Sequence, residues 1–180
     1  AEQKPSRILD VATGTGDLAL ELQRACPSAE VTGADFCEEM LELARDRGLK
    51  QSLVADGLKL PFADDSFDAV TVAFGLRNMS DWKKGLQEMG RVVRPSGFVL
   101  VLDFSLPDGV LRRPYAYYLN KILPRIAGIL TGQRDAYDYL AGSVERFPSG
   151  RAMLDLFEEA GLSEPTWKPL TQGIASIYTA

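Results

Sequence analysis

The stretch Ile8-Leu9-Asp10-Val11-Ala12-Thr13-Gly14-Thr15-Gly16-Asp17-Leu18-Ala19 joins a strand-length apolar run to a glycine turn and then to the start of a helix. Its two glycines let the backbone turn tightly and approach a ligand with no Cβ in the way, and the helix that follows presents unpaired amides at the same place. A nucleotide-binding βα unit is therefore expected at the beginning of the chain. The spacing Gly14-x-Gly16-x-x-Ala19 also satisfies a dinucleotide fingerprint, and Asp35 stands near the offset expected for an acid that binds ribose. Two kinds of nucleotide fit the pattern.

Strand-length runs recur at Arg7–Val11, Glu30–Ala34, Gln51–Val54, Phe67–Ala73 and Gly97–Phe104. Between them Leu18–Ala25, Glu38–Arg47 and Trp82–Val93 have helical spacing, the last closed by Arg94-Pro95-Ser96-Gly97 as a stop and turn. Strands alternating with crossover helices predict a parallel sheet. Beyond Ser149, Arg151–Ala160 reads as a helix ending at Gly161, and Glu164–Thr171 and Gly173–Thr179 read as strands. A break at Gln172-Gly173 predicts an antiparallel hairpin at the sheet edge. The expected fold is α/β, a mostly parallel seven-stranded sheet with helices on both faces.

Residues 104–148 interrupt this rhythm. They hold Tyr115, Tyr117, Tyr118, Tyr137 and Tyr139, and their basic residues Arg112, Arg113, Lys121, Arg125, Arg134 and Arg146 outnumber the acids Asp108, Asp135, Asp138 and Glu145. The segment reads as a helical lid inserted after strand five. A slightly basic, aromatic lid over an acidic site suits a flat apolar substrate and brief contact with an anionic membrane face. Helices that only pack onto the sheet are the other reading.

Charge separates the two nucleotides. A dinucleotide would lay its pyrophosphate at the helix N-terminus, where the sequence places Asp17. At an effective dielectric near 20, two like charges about 4 Å apart cost roughly 4 kcal/mol, more than the roughly 2 kcal/mol that a helix dipole returns at best. S-adenosylmethionine carries a sulfonium and an ammonium against one carboxylate, so a pocket ringed by Asp10, Asp17, Asp35 and Asp56 suits it. Asp10, near the end of an apolar strand, is costly to bury unpaired, and a ligand ammonium is one partner for it. Capping of the turn and the helix is the alternative role for Asp10 and Asp17.

A length of 180 residues, 46% of them apolar, fits one well-buried domain spanning 1–180. With net charge −5 and no basic run, a nucleic-acid surface is not expected. The chain has two cysteines, Cys26 and Cys37, and no histidine, which removes the usual zinc spacings and any histidine base, so no metal is expected. Free thiols and the lack of an 18-residue apolar run suggest a cytoplasmic protein. Because Ser6-Arg7 lead almost at once into the first strand, an upstream segment is expected to be missing.

In order, Leu9-Asp10-x-Ala12-x-Gly14-x-Gly16, Asp35, Asp56-Gly57 and Phe67-Asp68 resemble the successive motifs of Rossmann-like class I S-adenosylmethionine-dependent methyltransferases. The resemblance implies that Gly14, Thr15 and Gly16 contact the methionine end, Asp35 holds the ribose hydroxyls, Phe36 packs on the adenine, and Asp56 and Gly57 lie beside its amino group. Asp10 and Ala73 complete the expected cofactor set. A narrower resemblance rests on Phe74-Gly75-Leu76-Arg77-Asn78-Met79-Ser80-Asp81, on Arg91-Val92-Val93-Arg94-Pro95-Ser96-Gly97 with Leu102-Asp103-Phe104-Ser105, and on Tyr137-x-Tyr139-Leu140-x-x-Ser143-Val144-x-x-Phe147-Pro148. With Leu170-Thr171-x-Gly173-Ile174-Ala175, these are similar to the menaquinone/ubiquinone biosynthesis C-methyltransferase family. Three positions depart from that pattern: Asp103 replaces the usual Glu, Ser96 the usual Gly, and Ala73 a common small hydroxyl residue. The family's upstream Tyr, Asn, His and Trp signature precedes Ala1, so no contact is assigned to it.

The resemblance implies methyl transfer to a ring carbon of a reduced polyprenyl quinone, demethylmenaquinol first, with a polyprenyl benzoquinol or another small aromatic or lipid acceptor as the alternative. It also carries the expectation of peripheral contact with the inner face of the membrane and of a homodimer. A phenol titrates near 10, so the site must stabilise phenolate or supply a base. Arg77 is the expected stabiliser, Asn78 the residue that orients a water, and Asp103 the candidate base, acting directly or through water. A structural salt bridge for Arg77 and local amide bonding for Asp103 are the plainer roles. A non-catalytic subunit with a retained nucleotide pocket is the rival outside enzymes; an NAD oxidoreductase is the third reading.

Overall fold

Ile8 and Leu9 are adjacent in the first strand, both fully buried, yet they belong to different cores. Successive side chains of a strand point to opposite faces, so this strand must be covered on both sides. Ala69 and Val70 divide in the same way. The computed structural model describes residues 5–107, 110, 112–119 and 134–180. Asp108, Lys121 and Arg125 lie outside the described residues, as do the side chains of Arg134, Asp135, Tyr137 and Asp138.

The strands are β1 (Arg7–Val11), β2 (Glu30–Asp35), β3 (Gln51–Val54), β4 (Phe67–Ala73), β5 (Val93–Phe104), β6 (Thr166–Leu170) and β7 (Ala175–Thr179). They form a seven-stranded sheet in the order β3-β2-β1-β4-β5-β7-β6. The first five are parallel, whereas β7 runs antiparallel to β5 and β6 antiparallel to β7. Helices α1 (Asp17–Ala25), α2 (Glu38–Asp46), α3 (Trp82–Val92), α4 (Arg112–Tyr117), α5 (Arg134–Arg146) and α6 (Arg151–Glu159) connect them. The core that includes Ala19 of α1 and Ala44 of α2 covers one face; the larger one, with Leu86 and Met89 of α3 and Phe157 of α6, covers the other.

The strands and helices outside residues 104–148 fall where the periodicity places them, with ends shifted by one or two residues and one larger difference. The expected stop at Arg94–Gly97 is absent, because β5 begins at Val93 directly after α3. Its pairing jumps from Phe67–Val93 to Ala69–Phe98, so the extra residues form an irregularity inside the strand. Asp68 explains it. Its carboxylate binds Arg94 at 2.7 Å and accepts from the Ser6 hydroxyl at 2.6 Å and the Arg7 amide at 3.0 Å. The Phe67-Asp68 motif is thus a structural tie at the start of β4, at the end of the sheet away from the strand C-termini.

In the inserted segment, Leu119, Ala141 and Val144 bury against one another with Phe104, Leu106, Tyr115 and Leu140 beside them. α4 and α5 therefore make their own small core over the end of β5. The hairpin between β6 and β7 turns through Thr171–Gly173, with Gln172 in the left-handed region at φ 57°.

A Cβ on Gly97 would stand 2.5 Å from the Asp68 carbonyl oxygen, a backbone atom that cannot yield cheaply. Gly97→Ala is expected to destabilise the protein by about 2 kcal/mol, in the range of overpacked sites. Urea denaturation checks this, and an unchanged midpoint would count against the strained register.

Candidate active site

The order of the sheet reverses between β1 and β4: the chain steps from β1 outward to β2 and β3, then returns to the other side of β1. Loops leaving β1 and β4 consequently diverge, and ligands of open α/β sheets bind in the crevice so formed. Here the crevice is a cleft of about 570 Å³ lined by Ala12, Asp35, Phe36, Asp56, Gly57, Phe74, Gly75 and Asn78 among others. That volume is in the usual range for a small-molecule site.

Both loops begin in strained backbone. Ala12 (φ 52°) and Phe74 (φ 57°) occupy the left-handed region without being glycine, a conformation that costs on the order of 1–3 kcal/mol and collects at functional sites. The loops touch at Gly75, where a Cβ would lie 2.4 Å from the Ala12 Cβ. Gly14 is also left-handed (φ 55°), and a Cβ there would meet nothing within 4 Å, so its open side is available to a ligand.

Asp35, at the end of β2, is 7% exposed and accepts from the Gly14 amide at 2.8 Å and the Cys37 amide at 3.0 Å. It holds the glycine turn against β2 while lining the cleft. Asp56 accepts from the Leu58 amide at 2.8 Å, which folds its own loop back beside Gly57. Phe36 is 80% exposed over this corner. A carboxylate at a strand end, a bare aromatic face and an open glycine turn together fit a nucleoside.

Two of the four expected ring acids stand elsewhere. Asp10 is buried, and its carboxylate accepts from the Thr13 hydroxyl at 2.6 Å and the Thr71 hydroxyl at 2.7 Å. The partner foreseen as a ligand ammonium is thus a pair of threonines, and Asp10 braces the turn from behind. Burial pushes its pKa up to about 6, and the two hydroxyls oppose that rise. Asp17 points outward and pairs with Arg47 at 2.6 Å, which holds its pKa below the usual carboxylate range. Arg47 also donates to the Thr15 carbonyl and hydroxyl, so its charge sits at the helix start beside that of Asp17. The charge argument against a pyrophosphate therefore loses its main term.

The far end of the cleft is built by a 3₁₀ turn, Leu76–Asn78. The Phe74 carbonyl accepts from Arg77 Nη1 at 2.6 Å and from Asn78 Nδ2 at 3.3 Å. Arg77 is nearly buried and pairs with the fully buried Asp103 at 2.6 Å, while its guanidinium lies over the rings of Phe74 and Phe104. Asp103 also accepts from the Phe104 and Arg77 amides. Burial raises its pKa, and the Arg77 charge opposes the rise. A carboxylate so enclosed is not placed to take a substrate proton directly, which corrects its reading as a direct base: it anchors Arg77 and the start of the inserted segment.

The cleft thus brings Asp35, Phe36, Asp56, Gly57 and Asn78 together. Asp10, Gly14, Thr15, Gly16, Ala73, Arg77 and Asp103 do not line it; Asp10 and Asp103 brace its loops, and Gly14 keeps an open side next to it. The other lining residues, Val11, Ala12, Ala55, Leu58, Phe74, Gly75, Met79 and Ser80, are not among the candidate site residues read from the sequence. Their signal was position, since most lie within or beside a loop motif, and apart from the aromatic Phe74 their residue types announce no chemistry.

A parallel sheet with an antiparallel β7 and a cleft at the β1/β4 reversal defines the class I methyltransferase fold. A solved S-adenosylmethionine-dependent methyltransferase of Thermotoga maritima shares it, with TM-score 0.71 at 21% identity over 98% of this chain and 82% of that one. The profile of the ubiE/COQ5 methyltransferase family matches residues 1–180. Demethylmenaquinone methyltransferase of Thermus thermophilus is 47% identical, covering 98% of this chain and 83% of its own. A ubiquinone/menaquinone biosynthesis C-methyltransferase of Bdellovibrio bacteriovorus is 46% identical, covering 96% and 76%. The chain belongs to the ubiE/COQ5 methyltransferase family.

Asp10 provides a pH test. Its folded-state pKa of about 6 lies above the ordinary 3.8, so the folded protein binds the proton more tightly. The contribution of Asp10 to stability is accordingly greatest below pH 4 and is lost as pH rises toward 6, by up to about 3 kcal/mol. Asp10→Asn is expected to gain stability relative to the parent between pH 4 and 7. Parallel denaturant titrations that show a constant difference would refute the shift.

Proposed function

We propose that this protein transfers a methyl group from S-adenosylmethionine to a ring carbon of a reduced polyprenyl quinone, demethylmenaquinol first. One observation carries the reading: a nucleoside corner (Asp35, Phe36, Asp56) and an aromatic, asparagine-bearing corner (Phe74, Asn78) line the same cleft. Asp35 would hold the ribose hydroxyls with the lone pairs left by its two amide bonds, and Phe36 would cover the adenine. When bound, S-adenosylmethionine supplies an electrophilic methyl group on a sulfonium.

The chain's own residues must bring the acceptor to its phenolate form. Asn78 lines the cleft and is the group to bind the acceptor hydroxyl or its water. Arg77 stands behind it with a buried Nε–H that has no partner among the described residues. Its guanidinium charge, enclosed behind Asn78, stabilises an oxyanion held at that amide through space. Asp103 fixes where the planar guanidinium points. Positioning of the reactants supplies much of the remainder.

The names of the relatives divide between menaquinone and joint ubiquinone/menaquinone synthesis, which favours a benzoquinol as the second acceptor. Exposed Val110, Tyr117, Arg112 and Arg113 support peripheral contact with an anionic membrane. Among the described residues no helix is long and apolar enough to cross one. Exposed Met40, Leu43 and Val54, on α2 and the edge strand β3, support a homodimer.

A labelled methyl donor with a panel of reduced quinones, read by mass spectrometry, tests the function: a methyl on a ring carbon is expected, and no transfer to any quinol would end the reading. Arg77→Lys keeps a charge beside Asp103 but loses the planar fork. It is expected to lower kcat at least tenfold with unchanged affinity for S-adenosylhomocysteine; wild-type turnover would remove Arg77 from the mechanism. Asp35→Ala is expected to weaken S-adenosylhomocysteine about tenfold or more by calorimetry, and equal affinity would remove Asp35 from the ribose site.

A further inference from the structure

Among the described residues, the inserted segment makes a polar contact with the cleft lining at Asn78. Tyr139, on α5, donates its hydroxyl to Asn78 Oδ1 at 3.2 Å. The other end of the same amide donates from Nδ2 to the Phe74 carbonyl, which the left-handed backbone of Phe74 turns toward the 3₁₀ turn. Asn78 is held at both ends, so its amide has one orientation. Of its two Nδ2–H donors one is engaged by Phe74, leaving the second for a ligand oxygen.

We infer that Tyr139 is a positioning residue: it sets the orientation of the Asn78 amide toward the acceptor oxygen and couples the seating of α5 to the geometry of the cleft. The inference rests on the quinol-methylating reading for its kinetic consequence, but not for its structural one.

Three observations support a positioning role over a merely structural one. Tyr139 is 56% exposed, so its burial adds little to stability, and an exposed hydroxyl would be equally well hydrated by water. The residues that fasten α5 to its own core are others, Ala141 and Val144, both fully buried. The bond is also directional. A hydroxyl donating to Oδ1 draws electron density from the amide and makes Nδ2–H a better donor, as in any hydrogen-bonded chain. Removing it leaves Asn78 held at Nδ2 alone, so the amide can pivot about that one bond and its second Nδ2–H loses its fixed direction.

Tyr139→Phe keeps the ring and removes only the hydroxyl. In the acceptor-free protein, its amides at Asn78 and Met79, which close the turn on Gly75 and Leu76, are expected to exchange severalfold faster by hydrogen-exchange mass spectrometry, with β4 unchanged. Equal exchange overturns the proposal whatever the acceptor proves to be. With the acceptor, kcat is expected to fall about fivefold to tenfold, with KM for S-adenosylmethionine and the melting temperature held. The same change in an Asn78→Ala background should have no further effect on kcat. Full kcat in Tyr139→Phe, or losses that multiply in the double variant, would overturn it. A wild-type protein that methylates no quinol at all sinks the functional reading instead, and the exchange result then decides on Tyr139.

Discussion

The contact between Ala12 and Gly75 is the constraint on which the site depends. Two loops leave neighbouring parallel strands at the point where the sheet order reverses, and only the missing Cβ of Gly75 lets them meet. Each loop is entered through a left-handed residue, Ala12 or Phe74, whose strain persists because the strands on either side are buried and paired. The result is a cleft whose two loops are held in fixed backbone positions. Side chains that contact a ligand are presented from this frame.

A second layer of polar bonding makes the frame rigid. Asp10 and Asp35 both attach the glycine turn to the sheet, one from beneath through Thr13 and the other from the side through the Gly14 amide. At the opposite end Asp103 holds Arg77, and Arg77 and Asn78 converge on one carbonyl. A buried ion pair of this kind is weak evidence for stability, because desolvation offsets most of the attraction. Its use is geometric: it fixes a turn of three residues that has no core of its own beyond Leu76.

The strands and helices of the sheet were legible because parallel strands buried on both faces read as continuous apolar runs and their crossover helices as amphipathic ones. Arg94–Gly97 read as a turn, since Pro95 and Gly97 usually punctuate; here the chain absorbs them inside β5 because Asp68 and Arg94 hold the irregularity closed. Asp35 and Asp56 were legible as cleft acids, being the acids that follow strand ends. Asp10 and Asp17 were not. Spacing places both near the glycine turn, but it does not say that one faces two threonines and the other an arginine thirty residues away in sequence.

The amino-acid sequence alone determined the alternation of strands and helices, the glycine turn after β1, the family, and the residues Arg77 and Asn78 beside the cleft, because periodicity, glycine and motif order are local properties. Tertiary structure decided what each charged group faces. Asp103 becomes an anchor instead of an open base, Asp10 a brace, Asp17 half of a surface pair, and Tyr139 a neighbour of Asn78 across 61 residues. Such roles depend on which side chains long-range packing brings within hydrogen-bond distance and how much water it leaves around them, and neither quantity is written in the spacing of residues along the chain.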